Sequence, residues 1–182
     1  MSEPKPAEAV KLIASILFSE KEILQAVLTV LTEEYGVTDF ISPAQPFLYT
    51  DYYCREMGLN MERLFVSFND LIRPESLPGI KLQTNDLEKA YSREGGRRVN
   101  IDPGYLSSAH LILATGKGFA HRPYLRDGIY ADLTLVYYDK SFQTLPWTYP
   151  DYGEKETRGI FNRLRAKYLA QLKNTCIGLT ND

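Results

Sequence analysis

A chain of 182 residues is long enough to bury roughly 70% of the surface its unfolded form exposes, and of a length expected for one domain. Its 44% apolar and 24% charged content excludes disordered and fibrous classes. A net charge of −2 and a pI near 5.8 argue against a protein that coats nucleic acid nonspecifically, since such binding relies on neutralising phosphates.

The opening "MSEPKPAEAV" is polar and proline-bearing, so residues 1–9 are expected to form a flexible arm and not a signal peptide. "VKLIASILF" (10–18) has the length and continuous apolar character of a central strand covered on both faces. Its longest apolar run, Leu12 to Phe18, is too short to cross a membrane. Ser19 and Glu22 have capping-box spacing, and a helix follows with Ile23, Val27 and Leu31 on one stripe and Gly36 at its end. With "VTDFI" this makes a β-α-β opening. The stretch 39–56 reads as extended, because Pro43 and Pro46 exclude a helix.

"ERLFVSFNDLI" (62–72) alternates as a strand, with Leu64, Val66 and Phe68 on one face. A helix is predicted from about Pro78 to Ser92, burying Ile80, Leu87 and Tyr91. "RRVNIDPGYL" (97–106) sets Arg98, Asn100 and Asp102 at alternate positions of a strand, then turns at Pro103-Gly104. "AHLILATGK" is a further strand, and 128–147 a long one with a hairpin at Asp139-Lys140. In it Ile129, Ala131, Leu133 and Leu135 are expected on one face, with Tyr130, Asp132 and Thr134 on the other. Asp151 and Glu154 form a second capping box ahead of a last helix carrying Ile160, Phe161, Leu164, Tyr168 and Leu172. Residues 173–182 are expected to be a loose tail.

These elements predict an α+β fold: a mainly antiparallel sheet with two or three helices packed on it, in a single domain over 10–172. Cys54 and Cys176 are the only cysteines, and nothing pairs them. Reduced thiols and a cytoplasmic location are the expectation.

Four segments carry chemistry. If the polar faces of the two strands coincide, Arg98, Asn100 and Asp102 meet Tyr130, Asp132 and Thr134 in one patch able to take a phosphate, a metal or a polar ligand. An open sheet face in water would alternate in the same way. "ATGKGFAHRPYL" (114–125) offers backbone N–H groups around Lys117 for an anion, with His121 and Arg122 beside them. It is no Walker A loop: Leu111 stands where that motif needs Gly, and Gly118 where it needs Ser or Thr. Asp51 and Glu56 lie among tyrosines, where oxygen ligands could hold a divalent cation. "LPWTYPDY" (145–152) concentrates aromatics that could stack on a base, or seal the core. Tyrosine is the compositional outlier at 13 copies against one Trp, and some tyrosines should line a half-buried site. No serine or cysteine sits in a nucleophile motif.

Taken together, "TDYYCREMG", "RLFVSFNDLI", "IKLQTNDLE", "RRVNIDPGYL", "LATGKGFAHRPYL", "GIYADLTL" and "LPWTYPDY" resemble, in this order, the blocks of a prokaryotic family catalogued as domain of unknown function 4416. The resemblance runs from about Lys11 to Leu172. Members of that family have carried a GTP-binding label, which no phosphate-loop motif here justifies. Pro123 stands where the family block is expected to hold an aliphatic residue, which stiffens the backbone after Arg122. Polar residues within the matching blocks are Asp51, Tyr52, Glu56, Arg98, Asn100, Asp102, Lys117, His121, Arg122, Tyr130, Trp147 and Asp151.

The functional expectation is binding of, or action on, a phosphorylated small molecule or nucleotide, with Mg²⁺ as the metal considered. In that scheme His121, Asp102 and Asp51 are the catalytic candidates. Arg98, Asn100, Lys117, Arg122, Tyr130 and Asp132 are the ligand-binding ones, and Asp51, Glu56 and Asp102 the metal ligands. The alternatives are a protein-interaction module and, more weakly, RNA binding on an open sheet face. No membrane partner is expected.

Overall fold

A computed structural model describes residues 3–50, 53–58 and 60–178. It is an α+β structure built on one nine-stranded, antiparallel sheet. The central strand β1 (Val10–Phe18) is buried along its whole length, as its unbroken apolar run predicts. It lies between β4 (Glu62–Ile72) and β5 (Val99–Leu106), antiparallel to both. The short strand β2 (Thr38–Ile41) and the two-residue β3 (Gln45–Pro46) continue the sheet on the outer edge of β4.

Four of these strands stand in the order β2-β4-β1-β5. The β-α-β opening is therefore split, because β4 lies between β1 and β2. The crossover from β4 to β5 is split in the same way around β1. Helices α1 (Lys21–Tyr35) and α3 (Leu77–Ala90) make these two crossovers and pack on one face. There Ile23, Val27 and Leu31 of α1 and Ile80 of α3 meet Leu12, Ile16, Val66, Phe68 and Ile101. Ile16 and Ile101 are fully buried, and each such side chain contributes about 1.5–3 kcal/mol relative to exposure.

The capping box expected at Ser19 and Glu22 does not form. Glu20 occupies the N-cap with no side-chain cap bond, and its carboxylate is drawn to Arg98 instead. Gly36 does close α1: its φ is 86°, its N–H donates to Thr32 O, and a Cβ there would meet Asp70 Oδ2 at 2.6 Å.

Beyond β5 the sheet continues through β6 (His110–Thr115) and β8 (Ile129–Tyr138). Strands β7 (Tyr124–Arg126) and β9 (Ser141–Thr144) pair with β8. The Asp139-Lys140 hairpin forms as predicted, with both residues at positive φ. After a single turn α4 (Pro150–Gly153), helix α5 (Lys155–Gly178) covers the opposite sheet face. Its Ile160, Phe161, Leu164 and Tyr168 pack on Ile13, Phe65, Leu106, Leu113 and Leu135. The expected second capping box is absent, because Asp151 is buried against Arg63. No Pro interrupts α5, and its internal glycine, Gly159, lies near its start, so the helix runs on through part of the segment expected to be a loose tail. Another single turn, α2 (Cys54–Met57), replaces the end of the extended stretch predicted over 39–56.

Two departures shape the functional region. Pro103 and Gly104 do not turn; they lie within β5, where Pro103 pairs with Ala14. The pairing of β5 with β6 covers only Gly104 to Leu106, so Pro103 stands where that edge of the strand has no neighbour and its missing N–H costs no ladder bond. One residue later a Cβ at Gly104 would meet Ile112 O at 2.3 Å; only glycine lets β6 approach. Upstream, side chains of α3 take the place of a strand. Ile101 N–H donates to Glu88 Oε1 at 2.7 Å, and Ile101 C=O accepts from Lys81 Nζ at 2.8 Å.

The second departure is in β8. Ile112 pairs with Leu133 and Leu111 with Leu135, so Thr134 is an extra residue in a bulge. The bulge breaks the expected alternation: Asp132 and Leu135 face the same side as Leu113 and Leu111, their partners. Carbonyls at the bulge are held by the segment after β9, where Trp147 Nε1 donates to Leu133 O and Thr148 Oγ1 to Thr134 O.

Candidate functional site

Because β5 and β6 separate above Gly104, the sheet opens on the α5 side into a cleft of about 350 Å³. Its floor comes from β5, β6 and β8: Asp102, Leu113, Ala114, Thr115 and Asp132. One wall is the segment carrying Phe47, Tyr49, Thr50 and Tyr53. It is anchored where Phe47, Met57 and Met61 bury against Leu17. The other wall is Tyr149 to Tyr152, together with Arg63 of β4. A smaller cavity of about 30 Å³ shares Arg63 and Asp151 with it.

Among the described residues three carboxylates line the cleft, and each has a cationic partner. Asp102 Oδ1 lies 3.2 Å from Lys81 Nζ, and its Oδ2 accepts from Asn100 Nδ2 at 2.7 Å. Burial alone would raise the Asp102 pKa. The charges of Lys81 and Arg63, with hydrogen bonds from Lys81 and Asn100, outweigh burial and hold it below the ordinary carboxylate range. Asp132 Oδ2 accepts from Arg122 Nε at 2.8 Å. Asp151 is ion-paired with Arg63, whose guanidinium lies 4.3 Å over the Phe47 ring and 5.7 Å from the Tyr152 ring centre. Desolvation raises the Tyr53 hydroxyl, reinforced by the charge of Asp102, and pushes Tyr152 up to about 12. Both phenols stay protonated and able to donate at neutral pH.

Of the residues singled out in the sequence, Asp102, Asp132 and Asp151 line the cleft. Asn100 stands one layer behind Asp102, buried. Arg122 and His121 stand behind Asp132. The Arg122 fork also reaches Lys117 O at 3.1 Å and the Tyr149 hydroxyl at 2.6 Å. His121 Nε2 is 3.9 Å from Asp132 Oδ2, and its ring stacks on Trp147 at 4.8 Å. Tyr130 is not on the lining; it meets Tyr124 edge-on at 5.3 Å.

Three groups stay apart. Arg98 pairs with Glu20 at the start of α1. Glu56 is bound by Arg97 at 2.7 Å, and Arg97 in turn donates to Asn100 Oδ1 at 3.1 Å. A guanidinium and an amide therefore lie between Glu56 and Asp102. Among the described residues no three His, Cys, Asp or Glu side chains gather as a metal would require. Lys117 lies in an exposed turn where neither flanking glycine has positive φ. Its N–H is donated to Thr115 Oγ1 at 3.2 Å, so the turn does not present the anion-binding concavity expected there. Asp51 and Tyr52 lie outside the described residues.

Sequence reasoning missed Arg63, Lys81 and Glu88. Arg63 opens a strand and reads as a surface charge. Lys81 and Glu88 stand seven residues apart on a helix face that also carries Thr84, and all three are buried. A polar row at helical spacing was the available signal.

Among the described residues no helix is long and apolar enough to cross a membrane. Residues 8–168 match the model of a domain of unknown function (DUF4416), and the chain belongs to that family. No curated protein and no solved structure matches the chain.

Proposed function

We propose that this member of the DUF4416 family binds a small ring-bearing molecule of the nucleoside or nucleotide class in the cleft over β5, β6 and β8. One observation carries the reading. Asp102, Asp132, Asp151 and Arg63, from four separated segments, converge beneath Phe47 and four tyrosines in a single cleft of about 350 Å³. That volume falls within the range of small-molecule sites, which combine apolar walls with a few placed polar groups. Aromatic faces suit a flat ring, since stacking on one base is worth about 1–3 kcal/mol. Asp132, with His121 behind it, is the pair through which an acid–base step would run.

Thermal unfolding with a panel of nucleosides, nucleotides with and without Mg²⁺, and sugar phosphates tests the proposal. A ligand at a hundred times its Kd adds about 2.7 kcal/mol, visible as a rise of several degrees in Tm. No rise with any nucleoside or nucleotide at millimolar concentration overturns it. A second reading, a protein-docking face, draws on Phe119 and Tyr124, which are 68% and 60% exposed. Sedimentation showing only monomer at high concentration would count against docking to a second copy.

A further inference from the structure

We infer that the bound ring meets the cleft floor with hydrogen-bond donors: it is an amino-bearing nitrogen heterocycle held at Asp102 and Asp132, with any phosphate turned outward. The inference rests on the proposed binding function and adds the chemical class of the ligand. It follows from which hydrogen-bonding capacity the protein has already used.

Arg122 and Lys81, the cations behind the floor, are already engaged. All three nitrogens of the Arg122 fork have partners: Asp132 Oδ2, Lys117 O and the Tyr149 hydroxyl. Lys81 Nζ is divided between Ile101 O and Asp102. Arg63, the cation on the lining among the described residues, is charge-paired with Asp151, although its buried Nε has no hydrogen-bond acceptor among them. The floor itself presents carboxylate acceptors. The Asp132 side chain is only 4% exposed and lines the cleft. Its Oδ2 is engaged by Arg122, and among the described residues no hydrogen bond reaches its Oδ1. Asp102 leaves 31% of its side chain exposed, and it remains a carboxylate because Lys81 and Arg63 overcome its burial. A carboxylate oxygen with no protein donor keeps acceptor capacity that a ligand N–H can meet. A phosphate placed there would instead face two carboxylates at short range and be repelled.

Matched ligand pairs on the unmodified protein test this, with Kd read by calorimetry. The pairs are adenosine against purine riboside, guanosine against inosine, and each amino nucleoside against its 5′-monophosphate. At least one amino nucleoside should bind about tenfold or more tighter than its partner lacking the amine, since polar sites reject analogues that leave their groups unpaired. Adding the 5′-phosphate should change Kd by less than about threefold. In the Asp102→Asn and Asp132→Asn variants the amine preference should shrink to within about threefold. Equal binding of both members of each pair, or a phosphate that tightens binding tenfold, overturns the inference and leaves the proposed site standing. Binding of none of these compounds at millimolar concentration overturns both. The wild-type comparisons decide the matter even if either variant fails to fold.

Discussion

Lys11 is fully buried near the start of the central strand, where an ammonium survives only with close partners. Burial lowers its pKa, against the opposing pull of Asp39. Its Nζ is 2.7 Å from Asp39 Oδ2, 2.9 Å from Phe68 O and 2.7 Å from Gln171 Oε1. Asp39 in turn accepts from Ser67 at 2.5 Å and meets Lys167 at 3.0 Å. The cluster ties α5 to β1, β2 and β4. Replacing Asp39→Asn should destabilise the protein by about 3–5 kcal/mol, because a buried charge loses its counterion. Adding Lys11→Met should recover most of that loss. Urea denaturation of the single and double variants measures both. Glu88 makes a different prediction. Desolvation raises its pKa to about 7, against the lowering charge of Lys81 and the Ile101 N–H bond. Asp102 raises it further and Arg97 lowers it. The folded state therefore holds a proton that the unfolded state releases near its ordinary pKa, and stability is lost as pH rises from about 5 through 7. Glu88→Gln keeps an acceptor for Ile101 and removes the titration. Its stability relative to wild type should climb by a few kcal/mol between pH 5 and 8. A flat difference across that range would mean Glu88 titrates normally. Neither residue stands out in the sequence. Lys11 sits beside an apolar run, and although a lysine inside a doubly covered strand demands an acid from elsewhere, the sequence does not say which.

Elements were legible where their signals are local. The apolar run of β1, the alternation of Leu64, Val66 and Phe68, and the α1 stripe each report their own burial. Pro-Gly and the Asp132 alternation misled, because what decides them is tertiary. Pro103 fits within a strand only because β5 has an open edge there, and the Thr134 bulge depends on the carbonyl partners supplied by Trp147 and Thr148. Those same two irregularities make the cleft: one leaves β5 and β6 apart, the other turns Asp132 toward it. The Asp139-Lys140 turn offers a test at this scale. Its residues have φ of 49° and 64°, the positive values that a two-residue hairpin needs and that cost a side-chain-bearing residue about 1–2 kcal/mol each. Lys140→Gly removes one such cost and returns about 0.4–1 kcal/mol through greater freedom in the unfolded chain. A net gain of about 0.5–1 kcal/mol should appear as a higher urea midpoint at unchanged slope.

At the scale of the molecule, the split β-α-β-β-α-β half and the β6–β9 array share the short ladder from Gly104 to Leu106 and a small cluster in which Leu77 of α3 packs on Ala114 and Ile129. The larger connection between the halves is α5. That helix lies across both, packing Phe161, Leu164 and Tyr168 against Ile13 and Phe65 of the first half and Leu111, Leu135 and Phe142 of the second. Tyr168 is fully buried and donates its hydroxyl to Ala9 O at 2.7 Å, so it also secures the entry to β1. If α5 joins the halves into one cooperative unit, the single tryptophan, Trp147, which reports on the second half, should unfold at the same urea concentration as the far-ultraviolet signal of the whole. Tyr168→Ala, a large-to-small change in the core, should cost about 3–5 kcal/mol and move both transitions together. Two separated transitions in the unmodified protein would show that the ladder and helix do not couple the halves. The cleft would then lie between parts that open independently, and its floor, drawn from β5 on one side and β6 and β8 on the other, could not be held in register for a ligand.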